Sequence, residues 1–270
     1  MVIYLWLVEK SDYMSDIIKY PRTPHIEGSR LQKGDEDLSQ IPFNVIKDKY
    51  IVIEEKVDGA NTGISFKNGE LLLQSRGHFL TGGYRERHYN LFKQWANNYK
   101  YALYDVLGER YIMYGEWLYA KHSIYYDKLP NYFLEFDIYD KENQVFLSTD
   151  RRHELLKDLD VVSVPVLASG CFKSMDEVLK YLGESNYISS NHRDNLKESA
   201  LKCNQDVERV FKETENTNLM EGLYIKVEEN GVVVDRMKYV RYSFLQTVEE
   251  SNTHWLDRTI IPNKLGEKNE

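Results

Sequence analysis

The chain is poor in the residues that build cross-links and metal cages: of 270 residues only Cys171 and Cys203 are cysteine. That excludes a disulfide framework and a thiolate zinc cluster, and it fits a reducing, cytoplasmic setting. The seven histidines contain no H-E-x-x-H pair, so a zincin-type centre is excluded as well. Long apolar runs are also missing. Met1–Val8 is apolar but has no basic start and stops at Glu9-Lys10. It is too short for a signal peptide or a membrane span and reads as a strand. With 43 acidic against 35 basic residues the net charge is −8, which argues against non-specific coating of nucleic acid or binding to anionic membranes. No repeat, low-complexity tract or linker divides the chain, and its length suits one large domain, alone or with a small appendage.

What the chain does have is a lysine at the end of an apolar run and just before a tight turn, in Glu54-Glu55-Lys56-Val57-Asp58-Gly59-Ala60-Asn61. Such a lysine is a candidate nucleophile. Its unperturbed pKa of about 10.4 leaves roughly one molecule in a thousand as free amine near neutral pH. Nucleophilic use therefore calls for a site that lowers the pKa, and reaching about 8 takes roughly 3 kcal/mol of differential interaction. The plainer reading is a β-hairpin, because Asp-Gly is a strong type I′ turn signal and a flanking lysine would merely be solvated. The string alone leaves both open.

Four further strings follow in order: Ser75-Arg76-Gly77, Tyr114-Gly115-Glu116, Phe133-Leu134-Glu135-Phe136-Asp137-Ile138 and Glu221-Gly222-Leu223-Tyr224-Ile225-Lys226, with Arg236-Met237-Lys238 after them. Together, over about residues 50–245, they resemble the motif series of the covalent nucleotidyltransferases, the superfamily of polynucleotide ligases and mRNA capping enzymes. Lys56 and Lys238 lie 182 residues apart, a spacing similar to that superfamily's catalytic domain. DNA ligases and capping enzymes usually carry arginine two residues after the motif glycine, whereas RNA ligases of the RNA ligase 2 type carry asparagine. This chain has Asn61, and it resembles an ATP-dependent RNA ligase.

The resemblance implies an α+β fold, the nucleotidyltransferase (ATP-grasp-like ligase adenylylation) domain, with antiparallel sheets flanked by helices. It also implies a three-step reaction with ATP and Mg2+ or Mn2+: a lysine takes AMP, AMP passes to a 5′-phosphate RNA end, and a 3′-hydroxyl end displaces it. Each step is an in-line displacement at phosphorus, which depends on positioning and on cations that offset developing charge. By resemblance Lys56 is the nucleophile, and Lys238 contacts the α-phosphate. Arg236 stands where the family more often has lysine; it keeps the charge but is no proton carrier. Lys226 is a further candidate for phosphate contact. The plainer reading of these three cations is a charged strand face.

Glu116 matches the glutamate that binds the ribose hydroxyls, Glu221 the acid that supports the divalent metal, and Arg76 an arginine near the ribose and the RNA terminus, or else a hairpin-edge cation. Asn61 belongs with the nucleotide site. Phe136 would stack on adenine, pointing to the side of Leu134 and away from Phe133, which is then core; plain core packing is the alternative for both. Glu55 resembles a residue that helps to read adenine. A groove of Arg76, Arg85, Arg87, Lys226, Arg236, Lys238 and Arg241 would grip a strand end, with salt-dependent binding.

The expected domain is 1–245, with an N-terminal strand and loop over 1–49 and a helical insert over 165–219, followed by a short tail at 246–270. Only 32 residues follow Lys238, too few for a C-terminal OB-fold, so the resemblance leads to the expectation of an end-healing or RNA-binding partner protein. The turn-rich Pro21–Ser29 segment is read as a border of the site or a plain connection. Strands are expected at about 50–56, 62–66, 70–75, 110–116, 132–139, 222–228 and 231–240, the last two a hairpin around Glu229-Asn230-Gly231. One amphipathic helix is expected over 85–107 from Leu91, Trp95, Ala102 and Val106, a capping box at Ser174–Glu177, a long charged helix over 191–213, and a short helix over Tyr242–Val248.

Overall fold

In the computed structural model residues 17–31, 40–244 and 259–266 are described. The strand expected at Met1–Val8 lies outside them. Among the described residues alternating apolar and polar side chains form ten strands: β1 (Tyr50–Lys56), β2 (Ala60–Lys67), β3 (Glu70–Ser75), β4 (Tyr111–Trp117), β5 (Phe133–Asp140), β6 (Val145–Leu147), β7 (Val162–Ser163), β8 (Val166–Cys171), β9 (Gly222–Glu229) and β10 (Val232–Val240). They pair in the order β3-β2-β4-β5-β6-β10-β9-β1-β8, with β7 parallel to β5 and every other pairing antiparallel. The fold is thus the expected mixed one, a large antiparallel sheet flanked by helices. No helix among the described residues is long and apolar enough to cross a membrane.

This order decides the reading of Asp58-Gly59. β1 pairs with β8 and β9, while β2 pairs with β3 and β4, so the two strands flanking Asp58-Gly59 lie in different halves of the sheet and form no hairpin. The turn predicted at Asn230-Gly231 is a genuine one, with φ of 53° and 79° at its two central residues, joining β9 to β10.

The two faces of the β1-β9-β10 half differ in chemistry. Ile51, Ile53, Leu223, Ile225, Val227 and Met237 point outward into an apolar cluster with Phe43, Ile46 and Val178. Glu54, Lys56, Lys226, Arg236 and Lys238 point the other way, as the two-residue period requires. That inner face meets β5. Arg152, from the helix Thr149–Leu156, bonds Glu54 of β1 and Glu135 of β5, and Lys226 reaches Asp137 of β5. The halves therefore face each other across a charge-lined interior.

The helices depart from the sequence reading. In place of one helix over 85–107 there is a 3-10 turn, Tyr84–Tyr89, then Asn90–Asn98 and Lys100–Leu107, broken at Tyr99. The buried face carries Phe92, Ala96, Leu103 and Leu107, whereas Leu91 and Ala102 are exposed. The Asn97-Asn98 pair, which favours caps over helix interiors, ends the first segment. The helix expected over 191–213 is likewise two, His192–Lys202 and Val207–Lys212; Asn204 turns with φ 52° and Asp206 caps the second by accepting from Arg209 N at 2.7 Å. The Ser174 cap forms as expected, accepting from Glu177 N at 3.3 Å. The segment 165–219 is not wholly helical, for it opens with β8, an edge strand of the main sheet. Of the helix expected over Tyr242–Val248, residues 242–244 are helical and 245–248 lie outside the described residues. The tail is anchored at 259–266: Asn263 donates to Leu118 O at 2.8 Å and accepts from Tyr126 N at 2.9 Å.

Candidate active site

Lys56 is the last residue of β1 and stands opposite Gly222 of β9. A Cβ at position 222 would sit 1.9 Å from Tyr239 O, so glycine is what lets β9 lie this close to β10 and bring Glu221 to the lysine. The Lys56 ammonium lies 2.7 Å from Glu221 Oε1 and 2.8 Å from Oε2. From the other half of the sheet comes Glu116 of β4, which accepts from Gly59 N at 3.1 Å. A Cβ on Gly59 would meet Trp117 O at 2.7 Å and Glu116 Cγ at 2.9 Å, so this glycine too permits a close approach.

Asp58 holds the intervening turn, accepting from Ser123 N at 2.7 Å and Ile124 N at 2.8 Å while its own N–H donates to Tyr126 OH at 2.8 Å. Asn61 pairs in register with Glu116, and its buried Oδ1 has no hydrogen-bond partner among the described residues.

The electrostatics correct one expectation. Burial alone would pull the Lys56 pKa down, but Glu221, Glu116 and Asp58 outweigh it and leave the ammonium above its ordinary value. The protein by itself therefore does not free the amine; the acids around it favour the ammonium. Burial pushes Glu116 up to about 8, with Glu221 and Asp58 adding to the rise against the opposing pull of Lys56. Burial likewise raises Glu221, again with Lys56 opposing. Three acidic side chains thus stand around one lysine. Among the described residues no group of three or more His, Cys, Asp or Glu side chains is arranged to hold a metal.

The three candidate cations of β9 and β10 part company. Lys238, opposite Tyr224, is close enough to Glu221 to lower its pKa. Arg236 lies deeper, 3.4 Å from Asp137 and stacked 3.8 Å over the Phe146 ring. Lys226 is fully buried, 2.9 Å from Glu54 and 3.3 Å from Asp137, and also donates to Phe136 O. It is a member of an interior ion network and not part of an exposed face. Burial favours a neutral Asp137, yet Lys226, Arg236 and Arg152 hold it below the usual carboxylate range. Arg241, counted with the surface groove, is also interior, 2.8 Å from Glu215 and donating to Met220 O at 2.7 Å. Arg76 is exposed at the bend after β3, whose Ser75 pairs with Thr62 beside Asn61, so it stands on the rim.

Phe136 sits at a β-bulge: Tyr114 pairs with Asp137 but Gly115 with Glu135, leaving Phe136 as the extra residue. Its half-buried ring borders the cluster of Leu134 and Val57 and meets Tyr20 edge-on at 5.1 Å. Phe133 is core, stacked on Trp95 and Phe92. Glu55 points away from Lys56, and both its oxygens are occupied: Ser185 Oγ donates to one, Asn186 N at 3.1 Å and Nδ2 at 2.8 Å to the other. It ties β1 to that loop. Sequence reasoning missed Asp58, Asp137, Arg152 and Tyr20. Asp58 had a signal, being the aspartate of the lysine string itself.

The RNA ligase family matches residues 49–240. The chain belongs to the RNA ligase family. Its fold is similar to that of Naegleria gruberi RNA ligase. The structure with PPi superposes with a TM-score of 0.54 at 18% identity, over 86% of this chain and 58% of that one. That of a lysine-to-alanine mutant with ATP and Mn gives 0.53 at 14%, over 86% and 59%. That of a glutamate-to-alanine mutant with ATP and Mn gives 0.52 at 15%, over 85% and 58%. At these identities the likeness shows the shared fold. This chain spans about three-fifths of the length of those chains. No curated protein matches it.

The raised Glu116 pKa makes a stability prediction. The folded protein keeps this proton up to about pH 8, whereas an unfolded glutamate releases it near pH 4.3. The folded state therefore binds more protons between those values, and stability falls as pH rises through the window. Glu116→Gln should be more stable than the parent at pH 8.5 by about 2–4 kcal/mol, with the advantage shrinking to nothing near pH 4. Urea melts at the two pH values check this, and an equal gain at both would contradict it.

Proposed function

We propose that the protein is an ATP-dependent RNA ligase that joins 5′-phosphate and 3′-hydroxyl RNA ends through a lysyl-AMP and an RNA-adenylate. The observation that carries this reading is the Lys56 ammonium at the end of β1, held by Glu221 at 2.7 Å with Glu116 across the cleft. Lys56 Nζ attacks the α-phosphorus of ATP; an N–P bond forms, the bond to the β-phosphate oxygen breaks, and pyrophosphate leaves. The Lys56 proton has its nearest acceptor in Glu221. Lys238 stabilises charge on the α-phosphate, Glu116 accepts from the ribose hydroxyls, and Phe136 stacks on adenine. Glu221 would hold a magnesium or manganese ion, which when bound would supply positive charge that offsets the acids and lowers the Lys56 pKa.

A 5′-phosphate oxygen of RNA then attacks the phosphorus of lysyl-AMP, freeing Lys56. The 3′-hydroxyl oxygen attacks the activated 5′-phosphate and AMP leaves. Asn61, whose Oδ1 has no partner among the described residues, and Arg76 on the rim support an RNA end as the substrate. The test is a nicked duplex with either a ribonucleotide or a deoxyribonucleotide at the 3′-hydroxyl side, sealed with α-labelled or γ-labelled ATP. Label should be retained by the protein from the α position alone. Sealing should be faster with the terminal ribose, since its 2′-hydroxyl is both donor and acceptor. Equal sealing of the two nicks would overturn the RNA assignment.

A further inference from the structure

The turn-rich segment ahead of β1 has no part in the chemistry above, yet it lies against the strand that carries Lys238. β10 is paired on one edge by β9 at every residue but Val234, while on the other edge β6 meets it only at Val232 and Val233. From Asp235 onward that second edge would be open in a buried part of the molecule. The N-terminal segment closes it: Lys238 N donates to Pro24 O at 2.9 Å and Ile26 N donates to Lys238 O at 2.9 Å. Both backbone groups of Lys238 on that edge are therefore satisfied by residues 24 and 26.

The segment is fixed from outside as well, since Ile41 N donates to His25 O at 2.7 Å and Glu27 N to Ile41 O at 2.8 Å. Gly28, at φ 79°, makes a four-residue turn in which Ser29 N donates to Ile26 O at 3.0 Å. The turn carries the Ser29 hydroxyl back under His25. Ser29 Oγ accepts from Val240 N at 2.9 Å and lies 2.7 Å from His25 Nδ1, with both side chains buried.

Resting on the ligase reading, we propose that residues 24–29 are a clamp on β10 in which Ser29 and His25 are positioning residues for Lys238. The side-chain link His25–Ser29–Val240 fixes the strand two residues beyond Lys238, and the backbone pairs fix Lys238 itself. A phosphate contact made by an ammonium on a four-carbon stem gains its effect in transfer from the placement of its backbone.

Ser29→Ala removes the acceptor for Val240 N and the partner of His25 without touching any group that meets ATP. It should slow formation of lysyl-AMP at saturating ATP by about tenfold or more, with the ATP concentration for half-maximal rate changed less than about threefold. Ser29→Thr, which keeps the hydroxyl, should restore most of the rate. Thr149→Val, which deletes a comparably buried hydroxyl bond to Glu228 far along β9, should leave it unchanged. All are assayed where circular dichroism shows them folded. If the parent forms lysyl-AMP and Ser29→Ala does so at the same rate, or Thr149→Val is slowed as much, the clamp is wrong while the ligase reading stands. A parent that forms none at all overturns both.

Discussion

Replacing Arg152 with alanine should lower stability by about 3–5 kcal/mol, the scale for breaking a buried pair by removing one partner. Arg152 is wholly buried, with one guanidinium nitrogen 2.5 Å from Glu54 and the other 2.8 Å from Glu135. Those carboxylates belong to β1 and β5, so the one side chain links the two halves of the sheet. Alanine leaves both acids inside, with Lys226 the nearer remaining cation for Glu54 at 2.9 Å. Lysine in its place should recover little, because a single ammonium cannot reproduce the forked contact to two acids. Chemical denaturation of the parent and both variants checks this; a loss under 1 kcal/mol for Arg152→Ala would mean that the interior network does not hold the halves together.

The second large effect is on chemistry. Lys56→Arg should remain folded, because the guanidinium still offers positive charge to Glu221, Glu116 and Asp58, but it should form no covalent nucleotide and seal no ends. Arginine keeps its proton at any pH a protein survives and has no free amine to attack phosphorus. Lys56→Ala should lose the same activity and also stability, since Glu221 and Glu116 would then share a buried site without their cation. The contrast between the two variants separates the nucleophile from the counter-charge. Sealing of a substrate supplied already as RNA-adenylate should survive in Lys56→Arg to a large extent, since that last step does not pass through the lysine.

Much of this was legible in the chain. The strands follow from two-residue alternation, and the hairpin at Asn230-Gly231 brings Lys238 and the Glu221 region onto adjacent strands as expected. Lys56, Glu116 and Glu221 do converge. The departures have local causes. Alternation predicts side-chain direction only while the ladder is regular, and the bulge at Phe136 interrupts it. A charged residue in an alternating strand reads as solvent-facing, but here the inward face is itself charged, so Lys226 and Arg236, read as phosphate-contacting cations or a charged strand face, stand beside Asp137 in the interior. Nothing near Arg152 in sequence marks it as the centre of an ion network, because its partners stand 98 and 17 residues away. The turn segment before β1 gave no sign of its partner strand, since bridges such as His25 with Lys238 are set by tertiary packing.

The pKa of Lys56 is the point at which sequence and structure pull hardest against each other. The nucleophile needs a lowered value, yet the surrounding carboxylates raise it. In the reading given above, nucleotide and metal reverse the balance, so lysyl-AMP formation should require the divalent ion even at saturating ATP. The most direct test is intact-mass measurement of the purified chain after incubation with ATP, with and without magnesium, followed by peptide mapping. The account predicts a single added AMP, dependent on magnesium and mapped to Lys56; an adduct on Lys226 or Lys238, or one that forms equally in Lys56→Arg, would contradict it.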